Sequence, residues 1–232
     1  MRAPERGALP LGLAATLGRT YGRLTETVQG LTDEDFGRAT RCEGMAVGPL
    51  LVHLLYDAER ALIAFATPST AEPDRDFVSY WADFPAGTGA DSSFARTVAS
   101  AYQSPSQKLV GHWRQVSEAA VRAAAVAVAD KHHLVETQGH VLRVGDFVAT
   151  LVMEATVHHL DLTLELPDVP EPDAEGLQVT ARTLDGLFGP EAWDDIGWDT
   201  TTYVLKATGR LPLDDHDLDR LGDHASRLPL IG

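Results

Sequence analysis

The sequence predicts an all-α fold: an up-down bundle of four long helices with a long crossover and a small, mostly helical C-terminal appendage. Three observations predict it. Apolar residues recur three or four apart in four stretches, 11–31, 47–65, 92–129 and 147–164. A long connection, 67–91, separates the second stretch from the third. The proline-rich segment PDVPEP at 167–172 follows the fourth and reads as a stiff boundary. The expected division is therefore a bundle over 1–166 and an appendage over 167–232.

In the first stretch Leu13, Leu17, Tyr21, Leu24 and Val28 fall on one helix face. The loop TDEDFGRATRCEG follows, rich in turn formers and charge. The second helix has Pro49 in its first turn, where a missing N–H costs little. Leu51, Leu54, Ala58, Leu62 and Phe65 form its stripe, and Asp57 and Arg60 are expected toward solvent or the mouth of a site. The 67–91 connection carries the aromatic patch Phe77, Tyr80, Trp81 and Phe84, either a lid or a cover for the bundle end. The third stretch is expected to break near Pro105. Its second half is helix-periodic through Leu109, Trp113, Val116, Ala120 and Ala124. The segment HHLVETQGHVLRVGDF reads as a loop with an extended piece at 141–144, and Asp146 as the cap of the fourth helix. Helical runs at 177–188 and 201–207 then lead into a tail rich in Leu, Asp and Arg.

At 232 residues and 44% apolar composition, the chain can bury a sizeable core. No apolar run is long enough to span a bilayer, and the N-terminus lacks the apolar segment of a signal peptide. A single cysteine, Cys42, excludes an intramolecular disulfide and points to a reducing, cytoplasmic setting. Nineteen basic residues against 34 acidic ones give a net charge of −15. That opposes nucleic-acid binding, which needs a basic footprint, and docking on an anionic membrane.

The fourth stretch, FVATLVMEATVHHLDLTL, is apolar except at a few positions. Glu154, His158 and Asp161 stand at i, i+4 and i+7, on one helix face. In the second helix the run LLVHLL is broken only by His53. Each interruption has an ordinary reading: a core histidine bonded to a carbonyl, a plain i,i+4 pair, a carboxylate near a helix end. Together they suggest a shared cation, because buried charge is costly unless paired or metal-bound. His53, Glu154 and His158 would then hold a divalent metal with one position open. His159 lies roughly 140° from Glu154 around the helix, so it should point away. Asp161 could orient the second ring nitrogen of His158. His132, His133, His216 and His224 are expected in solvent, and His112 and His140 have no partner at a telling spacing. Cys42 reads as an inert small residue, since its loop has no adjacent histidine. No GxGxxG, P-loop, GxSxG or HExxH occurs.

The segment RCEGMAVGPLLVHLL resembles the C-x-G-W-x-V-x-x-L-x-x-H-L stretch of the mycothiol-dependent maleylpyruvate isomerase family. MEATVHHLDL is similar to that family's E-x-x-x-H-x-x-D helix, and SYWADF and LKATGRLPL also resemble it. The resemblance covers most of the chain. It implies a DinB-like four-helix bundle in which His53, Glu154 and His158 bind a divalent metal, commonly zinc. It also implies mycothiol as cosubstrate, for isomerisation through thiol addition or for thiol transfer. Met45 stands where many members have tryptophan. Arg210, in ATGRLP, is the candidate for a substrate-binding arginine, with a surface arginine at a helix end as the alternative. The function expected is a metal-dependent thiol transferase or isomerase, with a thiolate at the open position attacking a small electrophile. The alternatives are a metal-dependent hydrolase with activated water, using Asp57 or Asp161 as base, and a non-catalytic DinB-like metal or small-molecule binding protein.

Overall fold

Helix α1 (Leu13–Gln29) starts after Gly12, whose φ is 91°, and stops at Gly30. Helices α2 (Val47–Ala66), α3 (Gln107–Ala127) and α4 (Val144–Leu162) complete the bundle. These elements come from a computed structural model that describes residues 12–84, 98, 106–130, 133–166, 168–189 and 197–231. α1 and α2 lie across one diagonal of the bundle, and α3 and α4 fill the two grooves between them. This is the all-α four-helix arrangement that the apolar periodicity predicts, and the DinB-like bundle that the resemblance implies. α4 is buried almost all round, which explains a sequence apolar on every face. Leu50, Leu51, Leu54 and Leu55 of α2 and Val148, Val152 and Met153 of α4 are each at most 1% exposed.

The expected break and first half of the third helical stretch, 92–105, lie outside the described residues except for Val98, which is helical. Two local features differ from the sequence reading. The segment before α4 is an antiparallel hairpin, in which β2 (His140–Arg143) matches the expected extended piece and β1 (Leu134–Thr137) replaces the expected loop. Its two-residue turn puts Gln138 and Gly139 at φ 49° and 80°. Positive φ at both central positions is what a tight hairpin turn needs. The hairpin runs directly into α4, so that helix starts at Val144 and Asp146 lies inside its first turn. Asp146 therefore is not the cap; its carboxylate instead accepts the Phe77 N–H at 3.4 Å, holding the connection after α2.

The aromatic patch folds as a 3-10 turn, Ser79–Asp83. Tyr80 packs edge-on to Trp81 at 5.3 Å, and Phe84 lies 5.3 Å from Tyr80. Beyond the bundle, α5 (Ala174–Phe188) begins at Asp173, whose carboxylate accepts the Gly176 N–H. It packs on α4 and α1, and α6 (Thr200–Ala207) packs on α5. A short α7 (Asp215–Leu221) forms in the polar tail, held by a capping box between Asp214 and Asp217. Val179, Leu184 and Val204 belong to the same apolar cluster as the bundle core. Val78 sits against Gly186 of α5, where a Cβ would come within 2.6 Å of its Cγ2. At Phe77 and Val78 the connection after α2 is thus packed between the bundle and α5. Among the described residues, no helix is long and apolar enough to cross a membrane.

Candidate metal centre

His53 lies in the middle of α2 and faces α4, where Glu154 and His158 share one face. The fold brings the three together. Glu154 Oε1 is 2.8 Å from His53 Nε2 and 3.3 Å from His158 Nε2. The imidazoles meet edge to face, with centroids 4.9 Å apart. One ligand atom from each residue lies within 4.8 Å of the other two. A tetrahedral zinc with bonds near 2.1 Å would space its donors about 3.4 Å apart. Two imidazole nitrogens and a carboxylate oxygen at 2.8–3.3 Å therefore fit a divalent ion after small outward movements. The side chains of His53 and Glu154 are 23% and 24% exposed, against 10% for His158, so the group opens to solvent along the His53–Glu154 rim.

The electrostatics show what these groups do for one another. Burial opposes charge on Glu154, but hydrogen bonds and charge from His158 and His53 hold its carboxyl well below the usual range. Burial likewise opposes charge on His158, yet hydrogen bonds to Asp161 and Glu154 push its pKa up to about 10. An ion entering here would take the place of that proton, as ligand histidines must be neutral.

A second layer stands behind His158. Its Nδ1 lies 2.9 Å from Asp161 Oδ2, and Asp161 is fully buried. Arg210, placed by the loop after α6, donates through Nε to Asp161 Oδ1 at 3.2 Å and through Nη2 to Oδ2 at 3.3 Å. Its Nη1 donates to the Thr208 carbonyl at 2.9 Å. The sequence offered a substrate contact or a surface arginine; the structure places this guanidinium against Asp161, with its side chain 10% exposed. Among the described residues, two of its five N–H groups are left over. Arg41 donates to the Leu160 carbonyl and to Thr163 Oγ1, fixing the 41–45 loop on the end of α4. That places Cys42 within 4.8 Å of ligand-type atoms of His158 and Asp161. The loop has no neighbouring histidine in sequence, but the fold supplies one. Burial still pushes the Cys42 thiol up, which keeps it protonated and a weak nucleophile.

His159 points away from the group: its Nε2 is 2.9 Å from Thr27 Oγ1 on α1, and the residue is fully buried. Burial lowers its pKa to about 4. In an unfolded chain the value is about 6.5. Between those values only the unfolded state takes the proton, so stability is full above about pH 6.5 and falls as pH drops toward about 4. His159→Gln, which keeps a polar partner for Thr27, is expected to flatten that loss by up to about 3 kcal/mol. Urea unfolding of both proteins at pH 7 and pH 4.5 measures it; parallel losses would contradict the assignment.

Three residues at the site escaped the sequence reading in whole or part. Asp57, one turn after His53, turns inward and is 6% exposed. Burial, with the charge of Glu154, pushes its carboxyl up to about 6. Tyr21 of α1 and Tyr80 of the aromatic turn both lie within reach of the Asp57 and Glu154 charges. These act with burial to keep both phenols protonated. Tyr21 is indistinguishable in sequence from the other stripe residues of α1. Elsewhere Asp214, His216 and Asp217 also converge, but both carboxylates pair with Lys206. His140 of β2 pairs with Asp74 of the connection after α2 at 3.0 Å.

The family model described as mycothiol maleylpyruvate isomerase N-terminal domain matches residues 17–163. The match takes in α1 to α4, and with them His53, Glu154, His158 and Asp161. No curated protein and no solved structure matches the chain. The chain belongs to the mycothiol maleylpyruvate isomerase N-terminal domain family.

Proposed function

From that membership we propose that the protein is a metal-dependent thiol transferase or isomerase. It uses mycothiol as cosubstrate and acts on a small electrophile. The observation that carries this is the convergence of His53, Glu154 and His158 on one point open to solvent. Two histidines and a carboxylate with room for a further ligand suit zinc. When bound, the ion favours thiolate over thiol near neutral pH, and the thiolate is the nucleophile.

The chain's own residues have separable tasks in this reading. His53, Glu154 and His158 hold the ion. Asp161 accepts the Nδ1 proton of His158, which leaves Nε2 as the ligating atom. Arg210 holds Asp161 in place, and its two remaining N–H groups are what it can offer a substrate. Residues 167–232 act as the appendage that brings Arg210 to the bundle. Cys42 stays a protonated thiol, so the nucleophilic sulfur comes from outside. The acidic surface suits a small-molecule enzyme of the cytoplasm, without nucleic-acid or membrane partners.

Cobalt in place of zinc tests the reading. Adding mycothiol to the cobalt protein is expected to produce a sulfur-to-cobalt charge-transfer band, and turnover of an electrophile should require the thiol. Cys42→Ser should behave as the unmodified chain does. An unchanged spectrum, with a water-derived product formed without thiol, would put the hydrolase reading in its place.

A further inference from the structure

We propose that Asp57 determines which thiols the site accepts: its inner oxygen receives a hydrogen-bond donor carried close to the sulfur. The inference rests on the thiol reading above and deepens it. The Asp57 side chain is 7% exposed. Its outer oxygen, Oδ1, is ion-paired with Arg60 Nη1 at 2.9 Å. Its inner oxygen, Oδ2, is buried and has no hydrogen-bond partner among the described residues. That oxygen lies 3.4 Å from His53 Nε2.

Orienting the His53 ring does not account for it. His53 Nε2 faces Glu154 Oε1 at 2.8 Å, and in the proposed site this nitrogen is spent on the ion. Nor does Asp57 belong to the group whose ligand atoms lie within 4.8 Å of one another, which is His53, Glu154 and His158. It stands beside that group, on the His53 side of it. A buried carboxylate oxygen without a donor costs stability that a leucine of similar shape would not. Arg60, with its side chain 40% exposed, fixes the roll of the carboxylate from outside and leaves Oδ2 turned inward. The arrangement is a ready acceptor waiting for a donor that arrives with the ligand.

The ligand class follows. A thiol with an N–H two carbons from its sulfur, such as an N-acylated aminothiol, can place sulfur at the open position and the N–H on Oδ2. A thiol of the same shape with oxygen in place of that N–H leaves Oδ2 unmet. Sites built to bond a donor discriminate strongly against analogues that lack it.

N-acetylcysteamine and 2-mercaptoethyl acetate form such a pair, an amide and its ester counterpart. Binding of each to the cobalt-loaded protein is followed by calorimetry and by the charge-transfer band. The unmodified chain is expected to prefer the amide at least tenfold. In Asp57→Leu the preference should fall to near unity with cobalt content unchanged. Asp57→Asn keeps a neutral acceptor and should fall between the two, which preserves the test if Asp57→Leu does not fold. Equal affinity for the two thiols in the unmodified chain overturns the assignment, as does a preference untouched in both variants. Loss of cobalt from Asp57→Asn also overturns it and makes Asp57 a ligand. A preference that depends on Asp57 but comes without a band supports the acceptor role and sinks the metal–thiol reading. A band without a preference does the reverse, and no binding of either thiol sinks both.

Discussion

Arg210→Ala is expected to cost about 3–5 kcal/mol of folding stability, because it leaves a buried carboxylate without its counter-charge. Asp161 is fully buried, and Arg210 grips both its oxygens, at 3.2 and 3.3 Å. His158 Nδ1 at 2.9 Å remains as a partner, which sets the expectation toward the lower end of that range. Arg210→Lys restores charge but not the paired geometry and should recover only part of the loss. Combining Arg210→Ala with Asp161→Asn removes the stranded charge, so the double variant should be more stable than Arg210→Ala alone. Urea unfolding of the four proteins measures this. A loss below about 1 kcal/mol for Arg210→Ala would put the pair in the class of exposed ion pairs.

Contacts within one helix are legible in the amino-acid sequence. Glu154, His158 and Asp161 share a face because helix geometry leaves no choice, and the same geometry turns His159 toward Thr27. His53 stands out because one imidazole interrupts an apolar run. Contacts between distant segments are not legible in this way. Arg210 reaches Asp161 only because α5 and α6 fold back on the bundle, and the two are 49 positions apart. Cys42 gains a histidine neighbour through Arg41, which ties its loop to the end of α4. Asp57 is ambiguous in sequence because a residue one turn from His53 can face a site or its mouth, and only packing decides. Of the hairpin only the second strand is legible, as the extended piece at 141–144; the pairing with Leu134–Thr137 is not, because the strands are short and Gln138 is an unusual residue for a turn position with positive φ.

The largest effect on ligand binding is expected at His158. Removing one of three ligands should weaken the ion by more than the about 10–100-fold that outer-layer changes cost. His53→Ala should do the same from the facing helix. His159→Ala removes an even more deeply buried imidazole from the next position of α4, yet it should leave the ion in place, since that ring contacts Thr27 instead. The adjacent pair thus separates ligation from general damage to the helix. Metal analysis of the purified chain, His158→Ala and His159→Ala, each after dialysis against the same zinc buffer, is the direct measurement. Loss from His158→Ala, with about one ion per chain kept by the other two proteins, is the predicted result. A full complement of metal in His158→Ala, or its loss from His159→Ala alone, would contradict the assignment of the centre.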